Sequence, residues 1–235
     1  MKEKIAKVLQ NDYSLLNSDE DVAKLNCFVE MMLKYNETHN LTSITDEEDV
    51  VYKHLLDSVI PKELFNDNAK VLDIGCGAGF PSVPLAIIKP KTNFVALDSV
   101  RKKVDFVESV KNELNLDNLT TVHARIEDFA RLGAEREQYD IVISRAVAAL
   151  NIVLEYSAPM LRNGGLIYAY KGIGYEEEIK KAQNALKILD CEVVDVKEYD
   201  INEIDTKRYV VVIRKKSKIS TKYPRIQNKP RKQPL

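Results

Sequence analysis

An open α/β fold, a mostly parallel sheet with helices on both faces, is predicted for this chain by three observations. After Lys70, short apolar stretches alternate with amphipathic helical ones, the rhythm of parallel strands joined by crossover helices. The first strand runs straight into the turn "GCGAGFP", where three glycines precede a proline at a helix start. The last two strands are separated only by "DINEIDTK", too short for a crossover helix, so they pair antiparallel.

Each element has its own signal. Residues 1 to about 65 read as helical, with Val22, Leu25, Phe28, Val29, Met32 and Leu33 at helical spacing. "TDEED" at Thr45–Asp49 marks a further helix start, and Val51, Leu55 and Val59 continue it to Pro61. Seven strands follow, at Val71–Ile74, Phe94–Leu97, Thr121–His123, Asp140–Ile143, Leu166–Tyr170, Glu192–Tyr199 and Tyr209–Ile213. Helices are predicted between them, among them Val100–Leu114 and Tyr175–Leu189. Beyond Lys215 the chain has no periodicity and reads as extended or irregular. The expected division is a helical segment at 1–65, an α/β domain at 66–214 and a basic tail at 215–235.

At 235 residues with 45% apolar content the chain can bury one substantial core. No stretch approaches the ~18 apolar residues of a membrane span, and the first residues lack a signal-peptide core, so a cytoplasmic location is expected. Cys27, Cys76 and Cys191 are scattered, which argues against disulfides or a zinc knuckle. Cys76, inside the glycine loop, reads as a small filler. His39 and His123 have no matching acidic or cysteine cluster, so no metal is expected. From Arg214 to Leu235 there are nine Lys or Arg and no acid, leaving 26 basic against 36 acidic side chains elsewhere. A basic tail on an acidic body suits a polyanion, though a solvated terminus has the same composition.

The glycine turn sits where open sheets bind ligands, beyond the carboxyl end of the first strand. Its spacing is G-x-G-x-G at Gly75, Gly77 and Gly79 rather than the G-x-G-x-x-G of dinucleotide sites, and Asp73 precedes it. An acid there is a poor neighbour for pyrophosphate and a good one for ammonium or sulfonium. Asp98 closes the second strand, where a carboxylate can accept both ribose hydroxyls; its plainer use is to cap the next helix. Ribose without phosphate, plus positive charge, describes S-adenosylmethionine.

With these residues in place, the chain resembles the ribosomal small-subunit methyltransferase G family, also called glucose-inhibited division protein B. The anchors are "YNETHNLTSI", "HLLDSV", "DIGCGAGFPSVPLAI", "LDSVRKK", "ISRAVAAL", "YKG" and "YPRIQNKPRKQPL". The resemblance implies a class I S-adenosylmethionine-dependent methyltransferase, Rossmann-like, with a mostly parallel seven-stranded sheet behind an N-terminal helical part. It implies methyl transfer from S-adenosyl-L-methionine to N7 of a guanosine in the decoding-region loop of 16S rRNA, so the partner is 16S rRNA or the small ribosomal subunit. Cofactor contacts carry over onto Gly75, Phe80, Ile126, Glu127 and Arg145. The chain departs from the family at Ser82 and Asn228, where glycine is usual, and at Ile126, where alanine is usual. A monomer is expected.

The chemistry agrees. Guanine N7 carries a lone pair and no proton, so positioning and electrostatics can suffice without a base. After the fourth strand stands "SRAV" rather than the Asp/Asn-Pro-Pro-aromatic motif of exocyclic-amine methylation, and no cysteine lies there for attack on pyrimidine carbon. Arg145 and Lys171 follow strands at the ligand edge and are candidates for phosphate or guanine O6. His54 and Asp57 share a helical face, suited to contact with each other, and His54 is a substrate candidate. Asn40 and Thr42 cap the N-terminal part or line the RNA side; Arg225 and the other tail cations suit the rRNA backbone. Competing readings are a methyltransferase of small molecules or proteins, a dinucleotide oxidoreductase, and a non-catalytic RNA-binding module with a relic loop. The intact Asp73, glycines and Asp98 speak against the last.

Overall fold

The computed structural model describes residues 1–16, 18–204 and 206–235. Seven strands form one sheet: β1 Lys70–Ile74, β2 Asn93–Asp98, β3 Leu119–His123, β4 Tyr139–Arg145, β5 Leu161–Lys171, β6 Cys191–Ile201 and β7 Thr206–Lys215. Their order is β3-β2-β1-β4-β5-β7-β6. Pairings from β3 across to β5 are parallel. β7 lies antiparallel between β5 and β6, as the short connection required. The expected α/β class and strand count hold. The outer strands run longer than their apolar patterns, because β6 is exposed along much of its length and alternation has nothing to report there.

Two cores lie on the two faces. Val71, Ile141, Ile143, Tyr168 and Val210 pack against Leu25, Phe28, Val29, Leu55 and Val59 of the N-terminal helices. The segment before β1 therefore shares a core with the sheet; Phe28 meets Phe80 of the glycine loop at 4.9 Å between ring centres. On the other face Leu72, Ile74, Val142, Ile167 and Val211 pack against Leu150, Val153, Leu154 and Leu186.

The N-terminal helices start and stop as their sequences dictate. Ser18 accepts from the Asp21 N–H at 3.1 Å, opening the Asp19–His39 helix, and Asn40 closes it in the left-handed region at φ 50°. Asp46 accepts from the N–H groups of Glu48 and Asp49 at 2.9 and 3.2 Å. The single helix expected over Tyr175–Leu189 is two, Tyr175–Lys181 and Gln183–Ile188. Buried Ala182 sits at the break between them; it continues the apolar spacing, so periodicity hides the interruption.

The tail is irregular, as its sequence suggests, apart from the short helix Lys229–Lys232, but it is packed on the domain. It folds back on the second face, burying Ile219, Tyr223 and Pro230. Arg136 donates to the Tyr223 carbonyl at 2.8 Å and Arg131 to the Pro224 carbonyl at 3.2 Å. Lys215 is fully buried and donates to the Leu161 carbonyl at 2.7 Å.

Candidate active site

The carboxyl ends of β1, β2, β4 and β5 converge beside the N-terminal helices. The Gly75 and Cys76 N–H groups both donate to the Leu97 carbonyl, at 2.7 and 3.1 Å, which ties the loop to β2. Gly75 adopts φ 72°, and a Cβ there would lie 2.9 Å from the Val147 side chain. Gly77, at φ 58°, has nothing within 4 Å of that position. The loop thus needs glycine for its backbone, and at Gly77 its outer side stays open.

Asp98 is a strut for this loop. Oδ2 accepts from the Gly77 N–H at 3.0 Å and Oδ1 from the Val100 N–H at 2.9 Å. The helix that follows, Arg101–Leu114, has Val100 as its N-cap and no side-chain cap bond. Asp98 therefore braces the approach to the helix rather than capping it, and each oxygen keeps a further lone pair for a ligand.

Asp73 is different. It is 1% exposed, and neither carboxylate oxygen has a hydrogen-bond partner. Burial pushes its acid up to about 7, and the Asp98 charge adds to this; the Ser82 hydroxyl and N–H, facing it loosely, and Arg145 pull the other way. A buried acid without a partner is costly, which marks this as a place for a cation.

Ile126 and Glu127 open the short Ile126–Phe129 helix after β3. Glu127 is buried and accepts from Arg125 Nε at 3.3 Å. Ile126 packs on the second core, which accommodates the larger side chain. Asn228 has φ 57°, a left-handed backbone that Asn tolerates.

Several expected contacts are made elsewhere. His54 does not meet Asp57. Its Nε2 lies 3.1 Å from Thr42 Oγ1, and its ring stacks on Phe80 at 4.5 Å. Burial, with the Arg145 charge second, lowers its pKa to about 4. Asp57 instead binds Arg145 Nε at 2.8 Å and accepts from the Tyr199 hydroxyl at 3.0 Å. Arg145 also donates to the Lys53 carbonyl, so it locks β4 to the N-terminal helices rather than standing free. Lys171 is likewise engaged, donating to Glu178 at 2.6 Å and to the Ala148 carbonyl at 3.0 Å. Arg225 forms a two-pronged ion pair with fully buried Glu155, at 2.8 and 2.6 Å, and so anchors the tail. Asn40 is the helix cap already described.

A cavity of about 710 Å³ opens beside the glycine loop, lined by Arg145, Ala148, Tyr170, Lys171, Glu178 and Arg208 among others. Sequence reading missed Tyr199, Arg208 and Glu155. Tyr199 and Arg208 lie on strands whose alternation signals only a sheet edge, and no spacing ties Glu155 to a tail seventy residues away. Among the described residues no group of three or more His, Cys, Asp or Glu could hold a metal ion, and no helix is long and apolar enough to cross a membrane.

The family profile described as "rRNA small subunit methyltransferase G" matches residues 21–208. The chain belongs to this family. The protein named ribosomal RNA small subunit methyltransferase G in Alkaliphilus metalliredigens is 39% identical, over 92% of both chains. Its namesake in Desulfitobacterium hafniense is 37% identical over 100% of this chain and 98% of its own. Among solved structures, M. jannaschii TYW2 in complex with AdoMet has a TM-score of 0.56 at 17% identity, covering 74% of this chain and 79% of that one. A SAM-dependent methyltransferase from Aquifex aeolicus has the same TM-score at 16% identity, over 74% and 96%. These last two bear on the fold alone. The resemblance read from the motifs, the fold class and the enzyme class are borne out.

Proposed function

We propose that this enzyme transfers a methyl group from S-adenosyl-L-methionine to N7 of a guanosine in the decoding-region loop of 16S rRNA, by direct in-line displacement without a general base. The residues present fit the donor. Asp73 offers an unpaired buried carboxylate to its cationic amino-acid end. Asp98 keeps lone pairs for ribose hydroxyls, and Gly75, Phe80, Ile126 and Glu127 would complete the cradle. When bound, the donor supplies an electrophilic methyl on a sulfonium.

The chain's own task is to place the acceptor. The observation that carries the reading is that the acids bordering the cavity are already committed to cations: Asp57 to Arg145 and Glu178 to Lys171. His54 is buried against Phe80 and is a weak base. Such a site is poorly equipped to strip a proton from an amine or hydroxyl and well suited to a lone pair that needs no deprotonation. An RNA acceptor is supported by the tail, where Lys222, Lys229, Arg231 and Lys232 remain exposed. Arg231 donates to the Val147 carbonyl at 3.0 Å, which brings these charges to the catalytic edge.

The test supplies methyl-labelled donor with small ribosomal subunits, naked 16S rRNA, or a mixture of proteins and metabolites, followed by digestion to nucleosides. Label in 7-methylguanosine at a single guanosine is expected. Label on an exocyclic amine, on protein or on small molecules would overturn the assignment.

A further inference from the structure

Seven buried side-chain atoms among the described residues lack hydrogen-bond partners, and three of them meet beneath the glycine loop. They are both carboxylate oxygens of Asp73 and the hydroxyl of Ser82. Asp73 is 1% exposed and Ser82 is 0% exposed. Such groups ordinarily find partners, and here an acceptor and a donor lie side by side with neither bond made. The Ser82 hydroxyl and N–H both face Asp73 and both favour its charged form.

We propose that Ser82 is a positioning residue for the methyl donor: its hydroxyl hydrogen-bonds the Asp73 carboxylate that receives the donor's ammonium, holding that carboxylate charged and turned toward the ligand. The inference rests on the proposed function, which supplies the cationic ligand. A hydrogen bond to the ionised form favours that form. The other titratable groups around Asp73 come from four elements. Asp98 at the end of β2 opposes its charge, and Arg145 at the end of β4 favours it. Cys76 on the loop and Tyr170 on β5 are buried thiol and phenol with pKa values raised well above their usual ones, so they stay neutral. Ser82 therefore works against burial alongside the distant Arg145, and its contribution should surface where Asp73 titrates.

The experiment measures S-adenosylmethionine and S-adenosylhomocysteine affinity by calorimetry from pH 5.5 to 9 for the intact protein, Ser82→Ala and Ser82→Gly. Titration of the ligand's own ammonium is common to all curves and cancels in their ratios. Both variants should bind about 3- to 10-fold more weakly near pH 6.5 and within about twofold of the parent at pH 9, as expected for one hydrogen bond to a charged group. In an Asp73→Asn background, Ser82→Ala should have no further effect. A ratio that stays constant with pH, or an additive double variant, overturns the role of Ser82 and reduces it to packing. If the parent protein binds neither ligand at any pH, the underlying functional reading fails instead. Thermal melts of the variants separate either result from loss of fold.

Discussion

Asp57 and Asp73 are both buried acids on the same side of the sheet, at 4% and 1% exposure, yet their surroundings are opposite. Asp57 is clasped by Arg145 and Tyr199, with Arg208 Nε at 3.7 Å. Asp73 has nothing. The first arrangement spends a buried charge on holding the N-terminal helices against β4 and β6. The second leaves one unsatisfied where the backbone is barest. A buried acid with partners is scaffold, and one without them marks where a cation from outside completes the structure.

The comparison extends to the tail, where the largest effect is expected. Arg225→Ala strips fully buried Glu155 of its ion pair, and removing one partner of such a pair costs about 3–5 kcal/mol. Denaturant unfolding should show that loss, together with exposure of Tyr223 to protease. Equal stability would make the clasp incidental.

Asp73→Asn should act in the opposite direction on the ligand-free protein. An acid whose folded pKa is raised to about 7 holds its proton longer folded than unfolded, so stability falls as pH climbs from about 4 to 7. The variant should be about 1–3 kcal/mol more stable at pH 8, with no difference near pH 4. Donor affinity should drop at least about tenfold at pH 8, the scale of a lost charge-assisted hydrogen bond. A variant less stable at pH 8 would mean that Asp73 is satisfied after all.

Asp98→Ala combines both roles, losing the bonds to Gly77 and Val100. We expect donor affinity to weaken by about tenfold, with a loss of about 1 kcal/mol for the two backbone N–H groups left without their acceptor. Unchanged affinity in calorimetry would leave Asp98 as a strut of the loop alone.

The smallest effect is expected at His54. With its pKa near 4 it stays neutral through the working range, so single-turnover rates at saturating RNA should be flat from about pH 6.5 to 9. His54→Gln should lose well under the ~10²-fold typical of a missing acid–base catalyst. A pH limb that disappears in this variant would identify His54 as a base and sink the base-free mechanism.

The sheet was legible in the sequence because its signals are local. Apolar runs, a glycine turn and a short last connection place all seven strands, and the central ones are buried on both faces. The donor side of the site was legible for the same reason: Asp73, the glycines and Asp98 all sit at strand ends. The acceptor side was not. Arg145, Lys171 and Arg225 read as free cations because their partners, Asp57, Glu178 and Glu155, lie up to 88 residues away along the chain. Residue type and spacing report that a charge exists, and only the fold decides whether it is already taken. His54 and Asp57 show the converse, a sequence-adjacent pair that geometry separates.

The placement of β7 also constrains the order in which the protein can be completed. β6 pairs with β7 and with no other strand, so a growing chain that has emerged through Ile201 carries an edge with nothing to bind. The next ten-residue strand pairs along both its edges, with β6 in a hairpin and with β5, while Arg225 must close a 70-residue separation to reach Glu155. Closure over such a separation is slow compared with a hairpin. The sheet is therefore complete only when β7 is in place, and a chain that stops short of it leaves β6 unjoined to the rest of the fold.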